Sequence, residues 1–157
     1  MTHIHPAVRR TAMLRTAALI ASAALLMPAC VPPVPRDPST GKVVLDPNRV
    51  RHRAGTPYFC FTAVGETVES DHCYPTIEDF CIGGMNELKG QGASITSPCK
   101  SVDAVSCFDR AHTSWGAPSC HASMTDCEAA AKRDGDAYGG QNEVSACQTF
   151  DKTFQAK

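Results

Sequence analysis

The sequence predicts an α+β protein of two tandem disulfide-stapled units, each of order β-β-α-β, with small antiparallel sheets and two helices. Two observations carry this prediction. Strand-like and helix-like segments follow one another in the same order twice, and eight cysteines recur at nearly constant spacing. The second four cysteines lie 46 to 48 residues after the first four: Cys60, Cys73, Cys81 and Cys99, then Cys107, Cys120, Cys127 and Cys147. Self-similarity at a fixed period indicates a tandem duplication.

The first 29 residues have the layout of a secretory signal peptide. Arg9, Arg10 and Arg15 form a basic region, and the uncharged run at 17–27 follows it. That run is too short for a permanent membrane span, which needs about 20 apolar residues. We therefore expect residues 1–29 to be removed on export, which delivers the cysteines to an oxidising compartment.

Cys30 ends a segment, residues 25–30, that resembles the lipobox of bacterial lipoproteins, although Met27 and Pro28 depart from its usual pattern. Without Cys30 the cysteines number eight, an even set that can all pair. The sequence therefore predicts lipidation at Cys30, a membrane as partner, and a place in the cell envelope, anchored to the outer membrane or secreted. The alternative is ordinary cleavage after Ala29, which leaves Cys30 as a free thiol.

Residues 30–56 are expected to hold the anchor and a flexible tether. Prolines interrupt helices and central strands, and six of them lie in and just after this stretch: Pro32, Pro33, Pro35, Pro38, Pro47 and Pro57. The same stretch contains a basic cluster at 49–53. The cluster either contacts anionic headgroups or wall polymer, or is a solvated part of the linker.

The first unit is expected at residues 57–103. Aromatic and β-branched residues at 58–64 predict a strand, and a second short strand is expected around Cys73. Residues 94–99 form the closing strand of this interpretation.

The second unit, residues 104–157, is expected to repeat this plan. Phe108 follows its cysteine as Phe61 does in the first unit. A strand at 143–147 is expected to close it. A unit of this size buries too little apolar surface to fold unaided, so covalent staples are expected.

Helices are predicted at about 76–90 and 123–134. In each, a hydroxyl residue is followed three positions later by an aspartate: Thr76 with Asp79, and Ser123 with Asp126. This is a variant of the capping box, in which the hydroxyl satisfies backbone N–H groups at the start of a helix. Thr76 and Ser123 are therefore the predicted N-caps.

The duplication predicts that disulfides stay within each unit and follow the same pattern in both. A layout with all four cysteines of a unit at one end of the sheet favours Cys60–Cys99 with Cys73–Cys81. The second unit would then contain Cys107–Cys147 and Cys120–Cys127. The nearest competitor joins Cys60 to Cys81 and Cys73 to Cys99.

A predicted tether is followed by a Cys-Phe pair, a second cysteine, a Thr/Ser-x-x-Asp helix start with a cysteine, and a terminal cysteine. This pattern resembles the cysteine-rich lipoproteins of myxobacteria. The resemblance covers residues 57–150. That group is largely uncharacterised, so the resemblance implies no activity and no catalytic residue.

No metal, cofactor or catalytic residue is expected. The closest exported cysteines, Cys120 and Cys127, have six residues between them, whereas structural zinc sites use closer pairs. The sequence has neither the Cys-x-x-Cys of thiol oxidoreductases nor the Gly-x-Ser-x-Gly of many hydrolases. Asp109, His112 and Ser114 are expected to be exposed polar residues of a loop.

Charge argues against nucleic acid as a partner, because residues 57–157 hold seven basic and fourteen acidic residues. Trp115, the single tryptophan, either contacts a partner or sugar from a loop, or packs over the sheet or a disulfide. The expected function is a non-enzymatic binding or structural module that contacts an envelope protein or polymer.

Two alternatives remain open. A secreted protease inhibitor would present the loop at 66–71. A small envelope hydrolase would need a cleft with converging titratable groups.

Overall fold

A computed structural model of the chain describes residues 34–65, 69–75, 77–111 and 117–157. The first unit contains β1 (Tyr58–Val64), β2 (Glu69–Pro75), α1 (Glu78–Gly90) and β3 (Ser94–Val102). The second contains β4 (Ala104–Phe108), β5 (Ser119–His121), α2 (Met124–Ala137) and β6 (Gln148–Asp151). The predicted α+β class and the order β-β-α-β are confirmed in both units.

Each unit forms its own three-stranded antiparallel sheet with its first strand in the centre. The strand orders are β2-β1-β3 and β5-β4-β6. The register places Cys60 opposite Cys73 and Cys107 opposite Cys120. Because side chains alternate along a strand, these cysteines lie on one face of each sheet and Phe61 lies on the other.

The helices cover the sheet faces opposite the paired cysteines. In the first unit α1 packs on Phe61 and Ala63 through Cys81. In the second, α2 packs on Phe108 through Cys127, with Ala130, Ala131 and Val144 in the same cluster.

The other face of the two sheets carries a core that both units share. β2 lies next to β5, and the core cluster draws on both units and on residues that precede them: Leu45, Val50, Tyr58, Cys60, Cys73, Val105, Cys107, Cys120 and Phe150. The units therefore bury this face together.

The stretch expected to be a tether is part of this core. Val43, Leu45 and Val50 are 2–3% exposed, and residues 47–50 form a short 3-10 helix capped by Asp46. The prediction of a flexible tether is wrong for residues 34–56. Proline prevents regular backbone hydrogen bonding, but it does not prevent the aliphatic residues between prolines from being buried.

The four disulfides are Cys60–Cys73 and Cys81–Cys99 in the first unit, with Cys107–Cys120 and Cys127–Cys147 in the second. Pairing within units, by one pattern, is confirmed. The favoured pairing and its competitor are both wrong, because Cys60 and Cys73 face each other across one hairpin with 4.1 Å between their Cα atoms. Cys81 of α1 then pairs with Cys99 of β3.

The helix starts differ between the units. Ser123 caps α2 as predicted, and its Oγ accepts a hydrogen bond of 3.1 Å from the N–H of Asp126. The N-cap of α1 is Ile77, whose apolar side chain cannot accept such a bond. The prediction of Thr76 as the cap is wrong by one position, and Thr76 itself lies outside the described residues.

The closing strand predicted at 143–147 is also wrong, since β6 begins at Gln148. Ser145 explains the difference. Its N–H donates to the carbonyl of Asp109 at 2.9 Å, and its Oγ accepts from the N–H of Asp109 at 2.8 Å. These bonds tie the segment to the end of β4, apart from the regular ladder.

Candidate functional site

A cleft of about 560 Å³ lies between residues 37–45 and the second unit. Its floor is apolar and includes Val43, Leu45, Ala131 and Val144. Its rim is charged in both signs and includes Asp37, Lys42, Glu128 and Lys132. A volume of this order is typical of sites for small ligands or short segments.

The first wall of the cleft is fixed to the second unit by Arg36. Its guanidinium donates to Glu143 at 2.7 Å and to the carbonyl of Gly41 at 2.9 Å. The N–H of Val43 donates to the carbonyl of Asn142 at 3.0 Å. A turn-forming segment is thereby held in one position.

The second wall is the exposed side of α2 and the residues that follow it. Lys132 donates to Asp136 at 2.7 Å, and this hydrogen bond lowers the pKa of Asp136. Gln141 donates to the carbonyl of Lys132 at 3.2 Å. Charges of both signs above an apolar floor suit a ligand with an apolar centre and polar ends.

A smaller hollow of about 290 Å³ lies where the end of α1 approaches the end of β1. Val64, Leu88 and Ala93 line it together with glycines and polar residues. None of its lining residues is titratable, so it offers no acid–base chemistry.

Two serine–histidine pairs lie on the neighbouring strands β2 and β5. Ser70 Oγ is 3.0 Å from His72 Nε2, and Ser119 Oγ is 3.2 Å from His121 Nε2. Each imidazole stacks on the phenylalanine that follows the first cysteine of its unit, with ring centroids 5.1 Å and 5.9 Å apart. The histidines therefore lie on the helix-covered faces of the sheets.

Burial keeps both histidines neutral at neutral pH. It lowers the pKa of His72, and it lowers the pKa of His121 to about 4, with repulsion from His72 as a further cause. Nδ1 of His121 has no hydrogen-bond partner among the described residues. The pair with Ser119 thus lacks, within that part of the chain, the orienting carboxylate of a hydrolase triad.

Asp109 is not the exposed loop residue that the sequence suggested. It is fully buried, and its carboxylate accepts a hydrogen bond of 2.5 Å from Arg49. Burial raises the pKa of Asp109, and the charge of Arg49 opposes that shift. The partners lie 60 residues apart, so no local pattern could have joined them. His112 and Ser114 lie outside the described residues.

The basic cluster at 49–53 is split by the fold. Arg49 and His52 turn inward, while Arg51 and Arg53 are exposed. His52 is 2% exposed and connects the segment 52–56 to residue 154, with Nδ1 2.8 Å from the carbonyl of Phe154 and Nε2 2.9 Å from that of Thr56. Neither interpretation of the cluster holds for these two residues.

The other candidate residues have different outcomes. The lipidation site Cys30 and the binding candidate Trp115 lie outside the described residues, as does the signal peptide. The inhibitor loop expected at 66–71 is wrong in its extent, because Glu69–Pro75 is β2; residues 66–68 are outside the description.

Within the described ranges, no three side chains of metal-ligating type come together. In the same part of the chain, no helix has both the length and the apolar character to cross a bilayer. No known protein family, curated protein or solved structure matches this chain.

Proposed function

We propose that this protein is an exported, lipid-anchored module of the cell envelope that binds an envelope protein or polymer without catalysing a reaction. The observation that carries the proposal is the engagement of eight cysteines in four disulfides. Such density is typical of proteins in oxidising compartments. It also leaves Cys30 as the one cysteine available for a lipid.

The leader supports the same proposal. Its basic region and short apolar run are those of an export signal, and the lipobox-like segment at 25–30 ends on Cys30. We place the protein at the outer membrane by its lipid, or outside the cell if the lipid is absent.

An ancient tandem duplication is part of the proposal. Its support is that both units have the same order of elements, the same central strand and the same disulfide pattern. Each unit contributes a rigid scaffold, and the cleft between residues 37–45 and the second unit is the binding surface.

Anchoring is tested on the protein isolated from the membranes of cells that express the full chain. We expect it to enter the detergent phase, with an N-terminal peptide that begins at lipid-modified Cys30. Cys30→Ser is the control and should move to the aqueous phase. Identical fractionation of the two proteins would contradict lipidation.

Binding through the cleft is tested with two tryptophan substitutions. Ala146 is exposed and lines the cleft, whereas Ala129 is exposed on α2 away from its lining. In co-sedimentation with isolated envelope material, Ala146→Trp should lose binding, while Ala129→Trp should bind as the unmodified protein does. Equal loss in both, or in neither, would contradict the cleft as the binding surface.

The same incubation separates the alternatives. Release of soluble fragments from envelope polymer would support the hydrolase, and protection of that material from an added secreted protease would support the inhibitor. The binding module predicts neither result.

A further inference from the structure

The described part of the chain begins at Val34, a few residues after the proposed anchor at Cys30. Three residues, 31–33, separate Cys30 from Val34. A fully extended chain advances at most 3.6 Å per residue, so Val34 lies within about 14 Å of Cys30. This distance is about half of a bilayer's hydrocarbon thickness of roughly 30 Å.

The residues that follow Val34 do not lengthen this connection, because hydrogen bonds hold them in place on the body of the protein. The N–H of Val44 donates to the carbonyl of Pro35 at 2.9 Å, and the N–H of Asp37 donates to that of Lys42 at 2.9 Å. Arg36 is bonded to Glu143, and Val43 is 3% exposed. The segment is part of the body of the protein from its first residues onward.

We infer that the protein docks directly on the lipid surface, with the exposed side of residues 35–44 against the headgroups. This inference rests on the proposed lipidation of Cys30. We call this side the anchor surface and define it by Pro35, Thr40, Lys42 and Val44, all of which are exposed. Because the lipid is attached within about 14 Å of Val34, the anchor surface stays close to the bilayer.

The chemistry of the anchor surface is compatible with headgroups. Val44 is 40% exposed beside the cationic Lys42, a combination that suits the boundary between polar and apolar layers. Asp37 is the single acidic residue from 34 to 45. Its carboxylate accepts hydrogen bonds of 2.7 Å and 2.6 Å from the backbone N–H and hydroxyl of Ser39.

Docking would also set where the cleft opens. Thr40, Lys42 and Val44 belong both to the anchor surface and to the cleft lining. A ligand of the cleft is therefore met at the membrane, and a partner that stays far from the bilayer is not reached.

The test uses the full lipidated protein in vesicles that contain a lipid with a nitroxide on its headgroup, which quenches nearby fluorophores. A fluorescent non-natural amino acid replaces Thr40 on the anchor surface or, as the matched control, exposed Lys89 in the last turn of α1. We expect quenching at position 40 to be roughly two-fold stronger than at position 89, because the short connection fixes the near side.

A second variant carries about 12 Gly and Ser residues inserted between Pro33 and Val34, which add about 20 Å of average reach. Quenching at position 40 should then fall to the level at position 89. Equal quenching at both positions without the insert would overturn docking. If quenching depends on the amount of protein per vesicle instead of the amount of nitroxide lipid, the surface contacts a second copy of this chain. That result would also overturn docking on the lipid.

The two proposals fail in different ways in this experiment. If the protein does not co-sediment with the vesicles, the lipid anchor itself is refuted. If it co-sediments as Cys30→Ser does not, and position 40 shows no preference, anchoring stands and docking is overturned.

Discussion

The two units share a cysteine pattern but are closed by different means. In the first, β3 (Ser94–Val102) pairs with β1 along most of its length, and Cys81 is the single buried residue of α1. In the second, β6 has only four residues, whereas α2 buries Cys127, Ala130, Ala131 and Gly135. Residues 36–52 add Leu45 and Val50 to the core that both units share, and their Arg36 and Arg49 side chains bond to the second unit.

The difference shows that the disulfides set the topology of a unit but not the way its core is filled. The first unit is closed by its own long strand, whereas the second has a short closing strand and more bonds to the segment that precedes both units. We therefore expect the second unit to depend on residues 34–56 and the first to depend on them much less.

The largest effect is expected from removal of those residues. A chain that starts at Pro57 loses three buried aliphatic side chains, Val43, Leu45 and Val50. At about 1.5–3 kcal/mol for each, the loss is comparable to the whole stability of a small domain. Denaturant unfolding should show no cooperative transition in the second unit.

A chain that starts at Val34 is the control and should unfold cooperatively. If the two chains have the same midpoint, residues 34–56 are a tether after all, and the contrast between the units disappears.

The next effect concerns Arg49, whose guanidinium donates a hydrogen bond to buried Asp109 of the second unit. Arg49→Ala leaves that carboxylate buried without its cation, and loss of one partner of a buried pair costs about 3–5 kcal/mol. Arg51→Ala, at the exposed neighbour, should change the free energy of unfolding by less than about 0.5 kcal/mol. Urea unfolding of both variants measures the difference.

The pH dependence of Arg49→Ala sharpens this prediction. Burial raises the pKa of Asp109 above its unfolded value, so the charged form destabilises the fold, and the penalty is relieved as pH falls and the carboxyl is protonated. The loss in free energy of unfolding caused by Arg49→Ala should therefore be smaller at pH 5 than at pH 7. An equal or larger loss at pH 5 would contradict this account.

The histidines at the junction between the units predict loss of stability in acid. The pKa of His121 is about 4 in the fold against an ordinary value of 6.5. The unfolded chain therefore takes up its proton first, and stability is full above pH 6.5 and declines as pH falls toward 4. The loss is on the order of 3 kcal/mol.

Chemical denaturation at several pH values measures this decline. His121→Gln should flatten the decline, and His72→Gln should flatten it less, because the His72 side chain is only partly buried. An unchanged pH profile in His121→Gln would contradict the assignment.

The smallest effect separates the two helix starts. Ser123→Ala removes the cap of α2 and should cost about 1 kcal/mol. Ile77→Ser places a capping hydroxyl on α1 and should stabilise the protein by up to about 1 kcal/mol. Thermal unfolding followed by circular dichroism measures both, and Thr125→Ala, at an exposed position of α2, is the control. If Ser123→Ala and Ile77→Ser change the stability in the same direction, the two helix starts do not differ in capping as described.

The local elements were predictable because their causes are local. The strand at 58–64, both helices and the Ser123 cap follow from patterns within a few residues. The hairpin disulfide could also have been found, because antiparallel strands at 58–64 and 69–75 place Cys60 opposite Cys73. A layout with all four cysteines of a unit at one end of the sheet does not fit this register, in which Cys60 and Cys73 are directly opposite each other.

By itself, the sequence determined the class of the fold, the order of the elements and the confinement of disulfides to each unit. Its cysteine spacing and short-range periodicity contain that information. Only the tertiary structure decided that residues 34–56 contribute to the core, that Asp109 is buried against Arg49, and that His52 bonds to the carbonyl of Phe154. Those contacts connect residues 60 to more than 100 positions apart. Long-range packing, rather than local propensity, buries them, and proline-rich composition gives no sign of it.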